Sequence, residues 1–525
     1  MSVMLPPGVS ERDFSTAIDA FRKVVGDENV LTTPEELERY RDPYSPSGPD
    51  VNRASAAVAP GSVEEVQEVV RIANQTGVPL SVIATGNNRG YGAGAPRLAG
   101  AVVLDTGKRM NRVLEVNEKL GYAVVEPGVS YFDLYNYLRE NEIGLWIDCA
   151  DLGWGSVLGN AMERGGGYTP FGDHFGMHCG MEVVLPDGDV VRTGMGALPG
   201  SNTWHLFPYG YGPYLDGIFT QSNYGVVTKM GIQLMPAPPG ARTHLITFDQ
   251  VDDLAEVVEI TSPLVMRRVF HNLPILRNIF LDGGVMSTRA EWYQGEGALP
   301  DSAVEEMKQA LNLGYWNMYF TLYGRPEETE ALAARIWSFY EHIPGARFYT
   351  TEDRDDRGSH VLHDRHRIST GTPSLEELAL MDWIPNGGHL SIAPISTPDG
   401  VELLEQVHLL RDLAKSHGRD YCALVSLFGK AVIHVFLVLF DTTDDQDKSG
   451  ALELSKQLVR DAAARGHGEM RTHNALMDEV AASYSWNEGA LLRFEEKIKD
   501  AIDPNGILAP GKSGIWPARF RGQEL

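Results

Sequence analysis

Apolar and polar positions alternate with two different periods over the first hundred residues. Val63, Val66, Val70 and Ala73 recur at helical spacing, behind a capping box made by Ser62 and Glu65 and ahead of Gly77, a stop signal. Short continuous apolar runs flank that helix, Ala56–Ala59 closing on Pro60 and Val78–Ala84, and both read as buried strands. An earlier helix is expected over 11–25. Further apolar strands are expected at Ala101–Leu104 and Tyr122–Val125, and a hairpin over 183–193 turning at Asp187-Gly188. Past a Pro-rich break at Pro236–Gly240, strands at Thr243–Phe248, Trp316–Tyr323 and Val432–Phe440 alternate with helices at 326–341 and 402–417. A last helix begins near Glu488. The pattern is α+β, with a domain boundary expected at the Pro-rich break.

The segment after the second strand, Ser81–Arg97, concentrates chemistry. Gly86, Gly90, Gly92 and Gly94 stand among Thr85, Asn87, Asn88 and Arg89. Glycines after a strand let successive backbone N–H groups converge on one anion, as phosphate-binding loops require, although a structural connection uses the same residues. The spacing is neither G-x-G-x-x-G opening a helix nor a Walker loop. A second glycine-rich stretch holds Gly155, Ser156, Gly159 and Asn160, then Gly165-Gly166-Gly167-Tyr168. Just before it, Asp151 is one carboxylate in the apolar, glycine-rich run Cys149–Ser156; it is either a buried group raised by desolvation, suited to accept a proton or to partner a charged cofactor, or a cap for a helix starting near Ser156 or a simply solvated side chain.

Composition narrows the function classes. A chain of 525 residues supports more than one cored domain, and its net charge of −26 argues against nucleic-acid or anionic-membrane partners. The three cysteines carry no C-x-x-C spacing, so neither zinc nor an iron–sulfur cluster is expected and a reducing, cytoplasmic setting fits. The N-terminus shows no basic-then-apolar leader, and the most apolar window, Tyr421–Phe440, is interrupted by Lys430 and His434 and reads as buried strand. His174 and His178 have metal-ligand spacing, but flanking glycines argue against a helix there, and both read as structural.

The order strand, helix, strand, glycine loop over 56–97 resembles the FAD-binding domain of the vanillyl-alcohol oxidase and para-cresol methylhydroxylase flavoproteins. Two further motifs agree: WIPNGGHLSIAPIS, 383–396, similar to bacterial eugenol oxidase-type enzymes, and the closing DPNGILAPGK, 503–512. The resemblance implies two domains, an FAD-binding domain of the para-cresol methylhydroxylase type built from 1–236 with 467–525 and an α+β cap over 237–466. It implies that Thr85, Gly86, Asn87, Asn88, Arg89, Gly90 and Gly92 hold the pyrophosphate of FAD, that Gly155, Ser156, Gly159, Asn160, Gly225, Val227, Arg471 and Lys512 line the cofactor, and that His389 bonds covalently to its 8α-methyl.

The resemblance also implies a reaction. Tyr91 and Arg471 would bind a para-substituted phenol as its anion, Asp151 would act as base beside the benzylic carbon, and Tyr168 would face the substrate. Hydride would pass to the flavin through a quinone methide, with O₂ as acceptor and H₂O₂ as product. Met470 stands where relatives carry a second phenolate-binding tyrosine. A homodimer or larger assembly is expected. A cytochrome- or quinone-linked dehydrogenase, a hydroxy-acid or sugar oxidase with the same FAD domain, and a non-catalytic flavin-binding protein remain alternatives.

Overall fold

Ser62 accepts a hydrogen bond from the Glu65 N–H at 3.2 Å, and the helix Val63–Thr76 starts there. The expected reciprocal bond is absent: the Glu65 carboxylate goes to the Gly61 N–H and the Arg109 guanidinium, each at 2.7 Å. Gly77 ends the helix in the left-handed region, φ 69°, which glycine adopts without strain. The computed structural model describes residues 4–48 and 51–523; the first three residues of the N-terminal segment lie outside them.

Three principal sheets organise the chain. The first has four strands in the order Val30–Leu31, Ala57–Val58, Val102–Asp105, Leu80–Ile83, the last three mutually parallel. The second is antiparallel, in the order Val113–Asn117, Tyr122–Val125, Val226–Gln233, His178–Val184, Val190–Arg192; its last pair is the expected hairpin. The largest has eight strands drawn from 241–441, with Arg347–Thr350 at one edge and Gly387–Ile392 at the other. The apolar window 421–440 becomes two of its strands, Cys422–Leu427 and Val432–Asp441. Among the described residues no helix is long and apolar enough to cross a membrane.

The C-terminal tail returns to the first sheet. The Leu80 N–H donates to the Ile507 carbonyl and the Ala509 N–H to the Leu80 carbonyl, both at 2.7 Å. Behind that return, the Lys499 ammonium, fully buried, donates to the Asn223 and Leu508 carbonyls and pairs with Asp503 at 2.7 Å. Residues far apart in sequence thereby share one cavity between the glycine loop, the tail and the large sheet.

Candidate active site

Strand register sets one wall of that cavity. Ile275 lies opposite Ser426 and Ser426 opposite Ile433; one step along, Arg277 lies opposite Leu424 and Leu424 opposite Val435. Directly opposed residues share a face, so these rows point the same way, and the face continues through Leu437 and Ser391 to His389 and Leu439. The cavity, about 500 Å³, is lined there by aliphatic side chains with His389 at one end. The facing wall comes from Thr85–Arg89, Tyr91, Asp151, Gly155, Ser156, Gly159, Asn160, Tyr168, Gly225, Val227, Met470, Arg471 and Lys512, which brings nearly all the expected site residues together.

Gly90 and Gly92 act by their lack of a side chain. Both have positive φ, 78° and 108°; a Cβ on Gly90 would collide with the His389 ring, and one on Gly92 with the Asn474 amide. The loop is thus pressed against residues from the large sheet and the tail. The cavity's lining fits a flavin dinucleotide: it combines the glycine-rich segments Thr85–Arg89 and Gly155–Asn160 with aliphatic side chains of the large sheet. Along it Trp154 Nε1, Ser222 Oγ, Asn223 Oδ1 and Arg471 Nε are buried with no hydrogen-bond partner among the described residues, the condition of groups awaiting a polar ligand. Lys512 pairs with Glu163 at 2.6 Å, so its charge is shared with a carboxylate on the same wall.

Tyr91 and Arg471, 380 residues apart, meet at 3.0 Å, Arg471 Nη2 donating to the tyrosine hydroxyl and its guanidinium lying 4.1 Å from the ring centroid. A hydroxyl that accepts from arginine keeps its own proton free to donate. Met470, an apolar side chain, lines the same cavity.

Asp151 departs from the expected helix-cap alternative. Ser156 caps the helix Val157–Met162, and the Asp151 carboxylate instead accepts from the Tyr168 hydroxyl at 2.5 Å and Arg365 Nη1 at 2.6 Å, both on Oδ1. It also departs from the expected direction of its acidity. Burial alone would raise the carboxyl, but the Arg365 guanidinium, helped by the Tyr168 hydroxyl, overrides it and holds the group below the usual carboxylate range. The Tyr168 hydroxyl is pushed well above its ordinary value by burial and by the Asp151 charge.

Arg365 was not legible as a site residue. Its guanidinium sits 4.7 Å from the Tyr168 ring centroid and reaches Asp364 at 2.9 Å and Glu377 at 3.4 Å. Glu377 lines the cavity and also accepts from Arg277 at 3.1 Å; Arg277 in turn is paired with Asp282 at 2.5 Å. Burial raises the Glu377 carboxyl against the pull of both arginines. The available signal was spacing: Leu362, Arg365 and Ile368 fall on one face of the helix His360–Ser369, a cation where an apolar residue belongs. Nothing in sequence distinguishes Glu377 from Glu376.

His389 is held neutral. Burial, with the neighbouring His473 charge adding to it and Asp42 opposing, pulls its imidazole down to about 4. His473 is itself bonded to Asp42 at 2.7 Å, and Ser391 Oγ lies 3.2 Å from His389 Nδ1. His174 and His178 are taken up in bonds to Asp148 at 2.6 Å and to Asp216 at 2.9 Å.

Comparison with known proteins agrees with this architecture. Residues 54–194 match the FAD binding domain family and residues 302–513 the C-terminal domain of FAD linked oxidases. The 4-cresol dehydrogenase [hydroxylating] flavoprotein subunit of Pseudomonas putida is 38% identical over 517 residues, 98% of each chain. Among solved structures, 4-ethylphenol oxidase from Gulosibacter chungangensis, in an isoeugenol complex, superposes with a TM-score of 0.97 at 46% identity, covering 99% of this chain and all of that one. p-Cresol methylhydroxylase with substrate bound gives 0.94 at 37% identity, covering 98% and 99%.

Proposed function

The chain belongs to the para-cresol methylhydroxylase and vanillyl-alcohol oxidase family of FAD-dependent oxidoreductases, and from that premise we propose that it oxidises para-alkylated phenols at the benzylic carbon. The observation that carries this reading is the Arg471–Tyr91 pair, set in one cavity with Asp151 and Tyr168. Arg471 and Tyr91 present two donors to a phenol oxygen, and charge-assisted bonds favour its anion. Ionisation of that oxygen pushes electron density to the para position, where a benzylic C–H becomes a hydride donor and a neutral quinone methide results. The FAD cofactor, when bound, supplies the two-electron acceptor for that hydride.

Asp151 handles the proton. Because both its hydrogen bonds fall on Oδ1, Oδ2 is the oxygen available to take a proton from water adding to the methide or from an existing benzylic hydroxyl. Arg365 keeps that carboxylate ionised through the neutral range, and Tyr168 orients it. The aliphatic side chains Ile275, Leu424, Ile433, Val435 and Leu437 would pack the alkyl substituent. Met470 removes one phenolate donor, which weakens anion binding by about 1–3 kcal/mol. His389 would carry the cofactor covalently: a neutral imidazole, half-buried on the cavity wall, has the lone pair such a bond requires. Pyrophosphate binding is assigned to the Thr85–Gly92 backbone.

Oxygen is proposed as the electron acceptor, with H₂O₂ as product, on the grounds that the relative at 46% identity is by name an oxidase. The alternative of a dehydrogenase with a cytochrome or quinone acceptor has support in the relative that is by name a dehydrogenase. A panel of 4-alkylphenols and 4-hydroxybenzylic alcohols assayed for H₂O₂, with stopped-flow reoxidation in air, separates the two. Slow reoxidation with fast substrate reduction favours the dehydrogenase; no reduction by any phenol ends the proposal.

A further inference from the structure

Two side chains on the lining of the cavity are exposed, Asn88 and Phe428, the latter 42%. Asn88 belongs to the glycine loop assigned to the cofactor. Phe428 belongs to the turn between the strands Cys422–Leu427 and Val432–Asp441. A file of lining residues leads inward from that turn. Leu424, Ser426 and Phe428 alternate along one strand and Ile433, Val435 and Leu437 along its partner, with Ser426 opposite Ile433 and Leu424 opposite Val435. Leu437 lies opposite Ser391, two residues from His389. From Ile433 to Leu437 the file runs about 13 Å, at about 3.3 Å per residue. It joins an exposed turn to the place where the cofactor bond is assigned.

The rim of this turn is positive, in a chain whose net charge is −26. Gly429 packs against the end of the helix Asp253–Met266: a Cβ there would meet Met266 Cγ at 3.0 Å and the Met266 backbone nitrogen at 3.3 Å. That contact sets Lys430, next in the turn, near Arg267 and Arg268, which follow the helix; all three are exposed, as is Met266. None of the three pairs with a carboxylate among the described residues. No acidic residue occurs from 260 to 281 or from 421 to 440, so neither segment supplies a counter-charge. Glu259, just before the first of them, is bonded to the Gly400 N–H at 2.8 Å. Arg268 keeps a strained backbone, φ 56°, where a helix end usually takes glycine or asparagine, and its N–H closes on the Val265 carbonyl at 2.9 Å.

We propose that the Phe428 turn is the mouth through which phenols reach the cavity, and that Arg267, Arg268 and Lys430 steer into it phenols whose para substituent ends in a carboxylate. This rests on the phenol reading above and adds a substrate class to it. The net charge of the chain repels such an anion at long range; at this mouth it meets three unpaired cations, and a local field of opposite sign raises the rate of encounter. Phe428 and Met266 offer the ring an apolar surface beside those charges. The phenol oxygen still goes to Arg471 and Tyr91, so the rim acts on arrival of the substrate and not on hydride transfer.

Holoenzyme is mixed anaerobically with 3-(4-hydroxyphenyl)propanoate or with 4-propylphenol, which has the same ring and chain length without the charge. The flavin spectral change on mixing gives the association rate constant, and the limiting rate of flavin reduction gives the chemical step. Both are measured against ionic strength for wild type and for the triple variant Arg267→Gln, Arg268→Asn, Lys430→Gln. With the acid, the variant should associate about tenfold more slowly at about 10 mM salt and converge on wild type by about 0.5 M. Association of 4-propylphenol and both limiting rates should stay unchanged. Equal losses for acid and neutral phenol, or no loss for either, overturn the inference. Should the variant not fold, the wild type alone decides: association of the acid that does not slow as salt rises overturns it. Flavin reduced by 4-propylphenol and not by the acid overturns this inference only; flavin reduced by neither overturns the phenol reading as well.

Discussion

Arg365 and Asp151 are 214 residues apart and meet at 2.6 Å, a cation from the helix His360–Ser369 fixing the protonation state of a carboxylate in the glycine-rich stretch. Replacing Arg365 by Met removes the group that overrides desolvation, so the Asp151 carboxyl rises. A carboxylate is available as base only above its pKa, and the acid limb of the kcat/KM profile should move to higher pH. Removing Arg365, itself buried, also takes a cation away from Asp151, Asp364 and Glu377, so Tm should fall. Arg365→Lys, which keeps the charge, should show a smaller shift of the limb and a smaller loss in Tm. An unmoved acid limb in both variants would show that Arg365 does not set the Asp151 charge.

The Arg471–Tyr91 pair predicts a different signature. Tyr91→Phe removes one donor to the phenol oxygen and Arg471→Lys removes the planar fork while keeping the charge. Each should weaken binding of a phenol by about 2 kcal/mol, about thirtyfold in the dissociation constant. Methyl ethers of the same phenols, which cannot ionise, should bind wild type and variants alike. Equal losses for phenol and ether would locate the effect in packing instead.

How far this site was legible follows from where each residue lies. The strand–helix–strand–glycine segment is local, and its boundaries were readable because caps and periodicity are local signals; the observed helix Val63–Thr76 and strand Leu80–Ile83 fall inside the expected runs. His389, Tyr91 and Arg471 were reachable through motif likeness, not through spacing. The Arg365–Glu377–Arg277 network was not reachable, because its three members come from a helix, a 3₁₀ segment and a strand that only tertiary packing brings together. The direction of the Asp151 shift was missed for the same reason: desolvation is visible in an apolar run, and the cation opposing it is not.

Gly90 and His389 give a prediction about the cofactor bond. His389→Ala should abolish in-gel flavin fluorescence after acid precipitation while FAD still binds and some phenol oxidation persists. Gly90→Ala tests the packing that aims the ring: its Cβ would collide with the imidazole, and φ 78° strains any side chain. Reduced fluorescence per mole of protein, with non-covalent FAD retained, is expected. Fluorescence undiminished in His389→Ala would mean that another residue anchors the cofactor.

Buried histidines make the fold acid-sensitive, and His244 isolates the effect away from the cofactor. It is 1% exposed, stacked between Phe320 and Phe348 at 5.1 and 5.4 Å, and its Nδ1 has no partner among the described residues. Burial, with the Arg242 charge, pulls its imidazole from its ordinary 6.5 down to about 4. The unfolded chain takes up a proton below the ordinary value, while the folded chain refuses it until about 4. Stability is therefore lost as pH falls through that interval, since the unfolded state binds more protons there. His244→Phe removes the titrating group and extends the stack. The variant should lose less Tm than wild type between about pH 7 and about pH 5, in melts of the holoenzyme. Identical losses would show that the imidazole is not excluded from protonation in the folded state.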